Sequence, residues 1–477
     1  MTRKPSTFFI TTPIYYVNDR PHVGHAYTTI AADVIARFHR ANGEHVRFLT
    51  GTDEHGAKIA ESAEKAGKTP KKFVDEKAEE FKGIWKSLDI SYDTFSRTTS
   101  PRHREAVSIF LQKLYDQGDI YRGEYVGLYC VGCEKFLTEK ELVDGLCPDH
   151  KREPQVLKEQ NYFFRFTKYL PKVAAAIESG DLVIEPQERR NEVLALIEQG
   201  LEDFSVSRES VKWGIPIPWD KKHVCYVWVE ALQNYISDIG YGVDPEMFRT
   251  WWPADVHLMA KEILKFHALF WPALLIAAGE RPPQKIFAHG FFTINNQKMS
   301  KTIGNVIRPE AMVKTFGADA TRYLLLSQFP FGQDGNIDEK RMREKYHADL
   351  SNNIGNLVSR TSQMIEKFLN GSVRPLKHAW EKDVETVREK LQRMDLYGAL
   401  AGVMKLATLG NQFIDTEKPW IQAKSGAGVD RTLGKLVTLM VDVGKLLTPF
   451  MPSIGERMIQ QFQSSTIIKS DPLFPRL

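Results

Sequence analysis

Two short segments hold residue types whose spacing could do chemistry: His22-Val23-Gly24-His25, and Lys298-Met299-Ser300-Lys301-Thr302. The first sets two imidazoles three residues apart at the start of a helical pattern. Free backbone N–H groups and the positive dipole end of a helix N-terminus favour phosphate oxygens. Side chains three apart share a face, so His22 and His25 are expected to donate to one triphosphate. Gly24 has no Cβ, which lets a base or ribose lie against the backbone. The second segment places two ammonium groups on a loop. Attack of a carboxylate on the α-phosphorus of ATP builds negative charge on the leaving pyrophosphate. Lys298 and Lys301 would follow that charge and stabilise it more than the ground state. Alone, each segment has a bland reading, since HxGH occurs by chance in capped helices and charged loops are usually just solvated. Together they describe activation of a carboxylic acid as its adenylate, without a Walker loop.

Those segments need elements to hold them. Residues 7–12 read as a short buried strand ended by Pro13,. A helical pattern begins near Gly24 and runs through Ile30, Val34, Ile35 and Phe38,. Residues 46–49 read as a second strand, followed by Gly51-Thr52-Asp53-Glu54-His55-Gly56 and another helix. This alternation predicts an α/β fold with a parallel sheet whose ligands sit at the carboxyl ends of the strands. Residues 121–150, dense in Gly, Cys and turn residues, read as an inserted module. Strands at 224–228, 256–259 and 286–288 are expected to complete the sheet after it. From residue 346 the pattern is helical throughout. Leu433, Val437, Met440, Gly444 and Leu447 share one face of a helix that Pro449 stops,.

A chain of 477 residues suggests about three domains,. Hydrophobic content of 42% and charge content of 26% are those of an ordinary globular protein,. No apolar run approaches the roughly 20 residues of a membrane span, and the N-terminus lacks a signal-peptide pattern. The expectation is a cytoplasmic protein. The net charge of +4 falls entirely within residues 346–477, a mild bias that fits either solvated helix faces or a polyanionic partner.

Cys130, Cys133, Cys147 and His150 form two x2 pairs, a spacing that can place three thiolates and one imidazole tetrahedrally,. One structural zinc ion is expected there, in preference to a disulfide. Cys225 lies in an apolar run and reads as a core thiol.

HxGH near the N-terminus and a KMSKS-like segment in the second half are similar to the signatures of class I aminoacyl-tRNA synthetases. Pro13-Ile14-Tyr15-Tyr16-Val17-Asn18, the 51–56 segment, Trp213-Gly214-Ile215-Pro216-Ile217-Pro218 and Tyr226-Val227-Trp228 resemble the methionyl-tRNA synthetases in particular. The resemblance covers essentially the whole chain. It implies a Rossmann-like catalytic domain in two halves, 1–117 and 216–300, around a connective insertion with a zinc knuckle at 118–215. A stem-contact region carrying the KMSKS-like loop at 301–345 and an all-α anticodon-binding bundle at 346–477 would follow.

The resemblance further implies a methionine pocket in which Asp53 pairs with the substrate ammonium. Ile14, Tyr16, Trp228, Ala231, Tyr235, Ile263 and His267 would surround the thioether, although core packing is the bland reading of the aromatics. His22, Gly24, His25, Glu262, Lys298, Ser300 and Lys301 would bind ATP with its Mg2+. Asn356, Arg360 and Trp420 would read the anticodon of tRNA(Met). Two positions depart from the family pattern: Thr302 replaces a serine, and residues 260–263 read Ala-Lys-Glu-Ile for Gly-Lys-Asp-Ile. The expected reaction is ligation of L-methionine to tRNA through methionyl-adenylate, by a monomer. Rival readings are a synthetase for leucine, isoleucine or cysteine, and a non-catalytic RNA-binding paralogue. The length of the insertion argues against the first two, the placing of the cysteine cluster against the third, and intact signatures against the last.

Overall fold

The computed structural model describes residues 6–130, 135–137, 139, 142–148, 151–294, 297–298, 306–426 and 428–477. The chain divides into two compact units. One comprises Met1–Arg20, Glu44–Gly83 and Tyr92–His289; the other comprises Pro21–Gly43, Ile84–Ser91 and Gly290–Leu477.

The first unit is built on a six-stranded parallel sheet. Its order is Thr94–Arg97, His45–Asp53, Thr7–Tyr16, Val256–Ala260, Lys285–His289, Val183–Glu185. Phe9, Ile10, Phe48, Leu49, Leu258, Met259, Ile286 and Ala288 are all buried, as expected of strands covered on both faces. The order reverses between Thr7–Tyr16 and Val256–Ala260, where parallel sheets open a ligand crevice. Pro13 does not end its strand. It has no N–H for the ladder, so the register breaks between Thr11 and Ile14 and then resumes to Tyr16,.

The chain between residues 120 and 205 also forms a four-stranded antiparallel sheet. Its order is Lys135–Leu137, Ile120–Cys130, Gln155–Phe164, Phe204–Ser205. Val183–Glu185 lies within the segment read as the insertion, yet it forms an edge of the main sheet. The strand expected at 224–228 is also different. Asp220–Cys225 belongs to a separate three-stranded sheet, and Val227–Leu232 is a helix. A run of β-branched and aromatic residues satisfied strand propensity there, and the tertiary context overrode it.

In the second unit the helix Val23–Ala41 packs on Ala318–Leu326. Leu433, Val437, Met440 and Leu447 are fully buried on Val429–Leu447, which ends two residues before Pro449. A Cβ at Gly444 would come within 2.9 Å of Ile459; the missing side chain lets Pro452–Gln463 cross closely. Among the described residues no helix is long and apolar enough to cross a membrane.

Candidate active site

In the first unit, the pocket residues read from the sequence gather at the carboxyl ends of the central strands. Tyr16 and Asp53 end neighbouring strands and are register partners, and Val17 N–H donates to the Asp53 carbonyl at 3.3 Å. Ile14 precedes them on the same edge. Beyond Val256–Ala260 the chain makes a 3-10 turn, Lys261–Ile263, with Glu262 exposed, and then a π-helical turn, Phe266–Phe270. Wide turns of this kind recur at functional sites.

The His267 Nδ1 lies 2.9 Å from the Ile263 carbonyl and its Nε2 lies 2.7 Å from the Tyr235 hydroxyl. A carbonyl only accepts, so Nδ1 carries the proton, and the neutral ring accepts from Tyr235 through Nε2. Burial lowers the His267 pKa to about 4, which keeps the ring uncharged near neutrality. Trp228 stacks on Phe266 with ring centroids 3.9 Å apart and planes at 5°. Trp228 and Ala231 share the helix Val227–Leu232. Tyr235, His267 and Ile263 are thus linked on one side of the same turn, and Trp228 and Phe266 on the other, while Tyr16 and Asp53 end neighbouring strands. An aromatic, polarisable group of this kind suits a thioether.

The two residues after Asp53 are held by ion networks that the sequence did not reveal. Glu54 is fully buried and accepts two bonds from Arg97, at 2.6 and 3.0 Å, and one each from Thr52 and Thr99. His55 Nδ1 meets Glu230 Oε1 at 2.9 Å, and His103 Nε2 meets Oε2 at 2.8 Å. Burial alone would push the Glu230 carboxyl up, but His55 and His103 outweigh it and hold it below the usual value. Residues 55, 103 and 230 lie too far apart for any spacing pattern to connect them.

In the second unit His22 caps the helix Val23–Ala41, and its ring stacks on that of His25 at 3.8 Å. The Gly24 N–H donates to His22 Nδ1 at 3.1 Å, and the His22 N–H donates to His25 Nδ1 at 3.3 Å. With both Nδ1 atoms accepting, each neutral ring carries its proton on Nε2, which is the ring's donor atom,. The expectation of free backbone donors is corrected at two positions. Val23 N–H bonds the Ile307 carbonyl at 3.1 Å, and that of Gly24 is taken by His22.

Both flanks of the KMSKT segment meet this helix tip. Ile307 accepts from Val23, and Arg308 donates to the Pro21 carbonyl at 3.2 Å. On the other flank, Tyr27 packs edge-on against Phe292 at 4.6 Å. Phe292–Ile294 pairs with Gln297–Lys298. Lys298 thus lies opposite Thr293 on the antiparallel partner of that strand, while Met299, Ser300, Lys301 and Thr302 lie outside the described residues.

Cys130 and Cys147 are buried together with Leu137 in one small cluster. Cys133 and His150 lie outside the described residues, and among the described ones no group of three or more metal-type side chains occurs. Cys225 is a buried thiol raised by burial, consistent with its reading as core. In the bundle, Asn356 and Arg360 lie one turn apart on Asn356–Leu369, which contacts Pro419–Ser425. Arg360 donates to Asp415 at 2.6 Å, and Asn356 to Asn411 at 3.4 Å. Trp420 is 39% exposed, which is not the burial of a helix anchor.

A parallel sheet with a switch-point crevice, and a bis-imidazole helix tip joined to both flanks of a KMSKS-like segment, define a class I aminoacyl-tRNA synthetase. The family model for tRNA synthetases class I (M) matches residues 8–156 and 149–362. The methionine–tRNA ligase of Caldanaerobacter subterraneus subsp. tengcongensis is 45% identical over 95% of this chain and 74% of its own. That of Thermotoga maritima is 42% identical over 98% and 80%. The solved structure of Mycobacterium tuberculosis methionyl-tRNA synthetase in complex with methionyl-adenylate superposes with a TM-score of 0.93 at 36% identity, covering 99% of this chain and 100% of that one. The chain belongs to the methionyl-tRNA synthetase family.

Proposed function

We infer that the chain ligates L-methionine to tRNA(Met) in two steps. The methionine carboxylate attacks the α-phosphorus of ATP, forming methionyl-adenylate as the bond to pyrophosphate breaks. The terminal adenosine hydroxyl of tRNA then attacks the adenylate carbonyl, and AMP leaves. The observation that carries this reading is the union of both signature flanks at one helix tip.

In this reading Asp53 pairs with the substrate ammonium, and Ile14, Tyr16, Trp228, Ala231, Tyr235, Ile263 and His267 enclose the thioether. His22 and His25 donate through Nε2 to the triphosphate, with Gly24, Glu262 and Ser300 beside the nucleotide. Lys298 and Lys301 take up the charge leaving with pyrophosphate. Mg2+ enters with ATP and neutralises part of the phosphate charge. Because no covalent enzyme intermediate is required, the work is orientation and charge stabilisation. Transfer of labelled methionine to a tRNA(Met) transcript, dependent on ATP, tests the reading. Absence of charging by folded protein contradicts it.

The domain bounds read from the sequence, with catalytic halves at 1–117 and 216–300, an insertion at 118–215, a stem-contact region at 301–345 and a bundle at 346–477, belong to the same proposal, as do a monomeric state and a cytoplasmic setting. A single structural zinc would be held by Cys130, Cys133, Cys147 and His150, and the joint burial of Cys130, at the end of its strand, and Cys147 fits that donor set,. Purified protein is expected to contain about one zinc per chain, measured by elemental analysis. Undetectable zinc in active protein would remove the metal from the account.

Asn356, Arg360 and Trp420 would face the anticodon, with Trp420 offering a stacking surface to an unpaired base. Stacking on one aromatic contributes about 1–3 kcal/mol, so Trp420→Ala is expected to lower tRNA aminoacylation roughly 5- to 150-fold. Pyrophosphate exchange without tRNA should stay at the parental rate. Equal loss in both assays would place Trp420 in the fold instead.

A further inference from the structure

Glu230 occupies an unusual position for an acid that no signature contains. It is fully buried, and each carboxylate oxygen meets an imidazole from a different element. One imidazole, His55, stands two residues after Asp53, at the end of the second strand of the sheet. The other, His103, lies on the helix Pro101–Asp116, and its Nδ1 meets Ser237 Oγ at 2.9 Å. Ser237 belongs to Asn234–Ser237, the short helix that carries Tyr235. Glu230 itself lies on Val227–Leu232 between Trp228 and Ala231. One carboxylate therefore binds the loop that follows Asp53 to the helices Val227–Leu232 and Asn234–Ser237.

The loop is tied from its other side as well. Trp213 donates its indole N–H to the Glu54 carbonyl at 2.6 Å, and Gly56 N–H donates to the Trp213 carbonyl at 3.0 Å. Glu54 holds Arg97, which also reaches Asp75 at 2.6 Å. With residues 54, 55 and 56 all fixed, the backbone at Asp53 has little freedom to turn. Hydrogen-bonded ion networks in a low-dielectric interior have few alternative arrangements. A core serving only stability would gain as much from apolar packing of the same volume.

We propose that Glu230 is a positioning residue for amino-acid recognition: through His55 and His103 it sets the direction of the Asp53 carboxylate relative to Trp228 and Tyr235. This rests on the assignment of Asp53 to the substrate ammonium. A role of this kind affects one substrate and not the other. A misdirected Asp53 weakens methionine binding while leaving the nucleotide side intact, and it weakens only ligands that carry an ammonium.

The test compares Glu230→Gln with parent in methionine-dependent pyrophosphate exchange. The KM for methionine is expected to rise about tenfold or more, with the KM for ATP within about twofold. Inhibition by L-methioninol, which keeps the ammonium, should weaken in parallel. Inhibition by 4-(methylsulfanyl)butan-1-ol, the same chain without it, should stay constant. His103→Gln removes one arm only and should give the same split to a smaller degree; it decides the matter if Glu230→Gln fails to fold. Leu114→Ala, a cavity in the buried core of the same unit, is the stability-matched control and should shift neither KM. Parallel changes in both inhibitors, or in both KM values, overturn the proposal. Asp53→Asn separates the two levels. If it abolishes the preference for methioninol while Glu230→Gln and His103→Gln keep it, the positioning role falls and the Asp53 assignment stands. If Asp53→Asn leaves the preference intact, both fall.

Discussion

Asp33→Asn is expected to cost about 3–5 kcal/mol of stability, the cost of stranding a buried charge. Asp33 and Arg322 are both fully buried and paired at 2.7 Å. Arg322 also donates to the carbonyls of Phe450 at 2.7 Å, Pro449 at 2.9 Å and Leu88 at 3.2 Å. Asp33 in turn accepts from Arg37 at 2.8 Å and from the Ser91 backbone at 2.7 Å. This one pair links the helix carrying His22 and His25, the 84–91 segment, the helix Ala318–Leu326 and the turn between the last two helices of the bundle. For a unit of this size the loss corresponds to a fall in Tm of roughly 6–20 °C.

The pair also has a pH signature. Burial alone would raise the Asp33 carboxyl, but Arg322, Arg37 and Ser91 outweigh it and hold it below its ordinary value. A depressed folded pKa contributes stability that is fully present above the unfolded value of about 4 and is lost as the pH falls through the folded one. The gap in Tm between parent and Asp33→Asn should therefore be widest near neutrality and close in acid. Joint replacement by Asp33→Leu and Arg322→Met should not restore stability, because the carbonyls of residues 88, 449 and 450 would lose their donor. A variant melting with the parent at pH 7 would contradict this account of the pair.

The second large effect is on chemistry. Lys301→Ala is expected to slow methionyl-adenylate formation about 10²–10³-fold, the usual result of removing one donor from charge developing in a transition state. The KM for methionine should change little, because the charge Lys301 would meet develops only in the transition state. Single-turnover formation of the adenylate checks this directly. A rate within a few-fold of the parent would remove Lys301 from the mechanism.

What the sequence made legible follows from how chemistry and burial constrain residues. Anion binding and charge stabilisation demand particular side chains close together, so HVGH and KMSKT can be read locally. Strands buried on both faces are continuous apolar runs, so 256–259 and 286–288 were readable to within two residues. The run at 224–228 misled because the same residues also suit a buried helix, and only tertiary pairing separates Asp220–Cys225 from Val227–Leu232. Pro13 misled because a missing donor costs one ladder bond, and the neighbouring strand absorbs that loss as a register break. The spent donors at the tip of Val23–Ala41 were hidden because one partner is Ile307, far along the chain. The Glu230 network was hidden for the same reason. Its three members lie 127 and 175 residues apart in their contacts, and no local pattern marks an acid that folding will bury.

The central claim, that this site activates methionine, is tested most directly by amino-acid-dependent exchange of pyrophosphate into ATP. Methionine should support rapid exchange. Leucine, isoleucine and cysteine should do so far more slowly, each lacking either the thioether or the length that the proposed Trp228, Tyr235 and His267 pocket would enclose. Faster exchange with any of those three than with methionine would contradict the account.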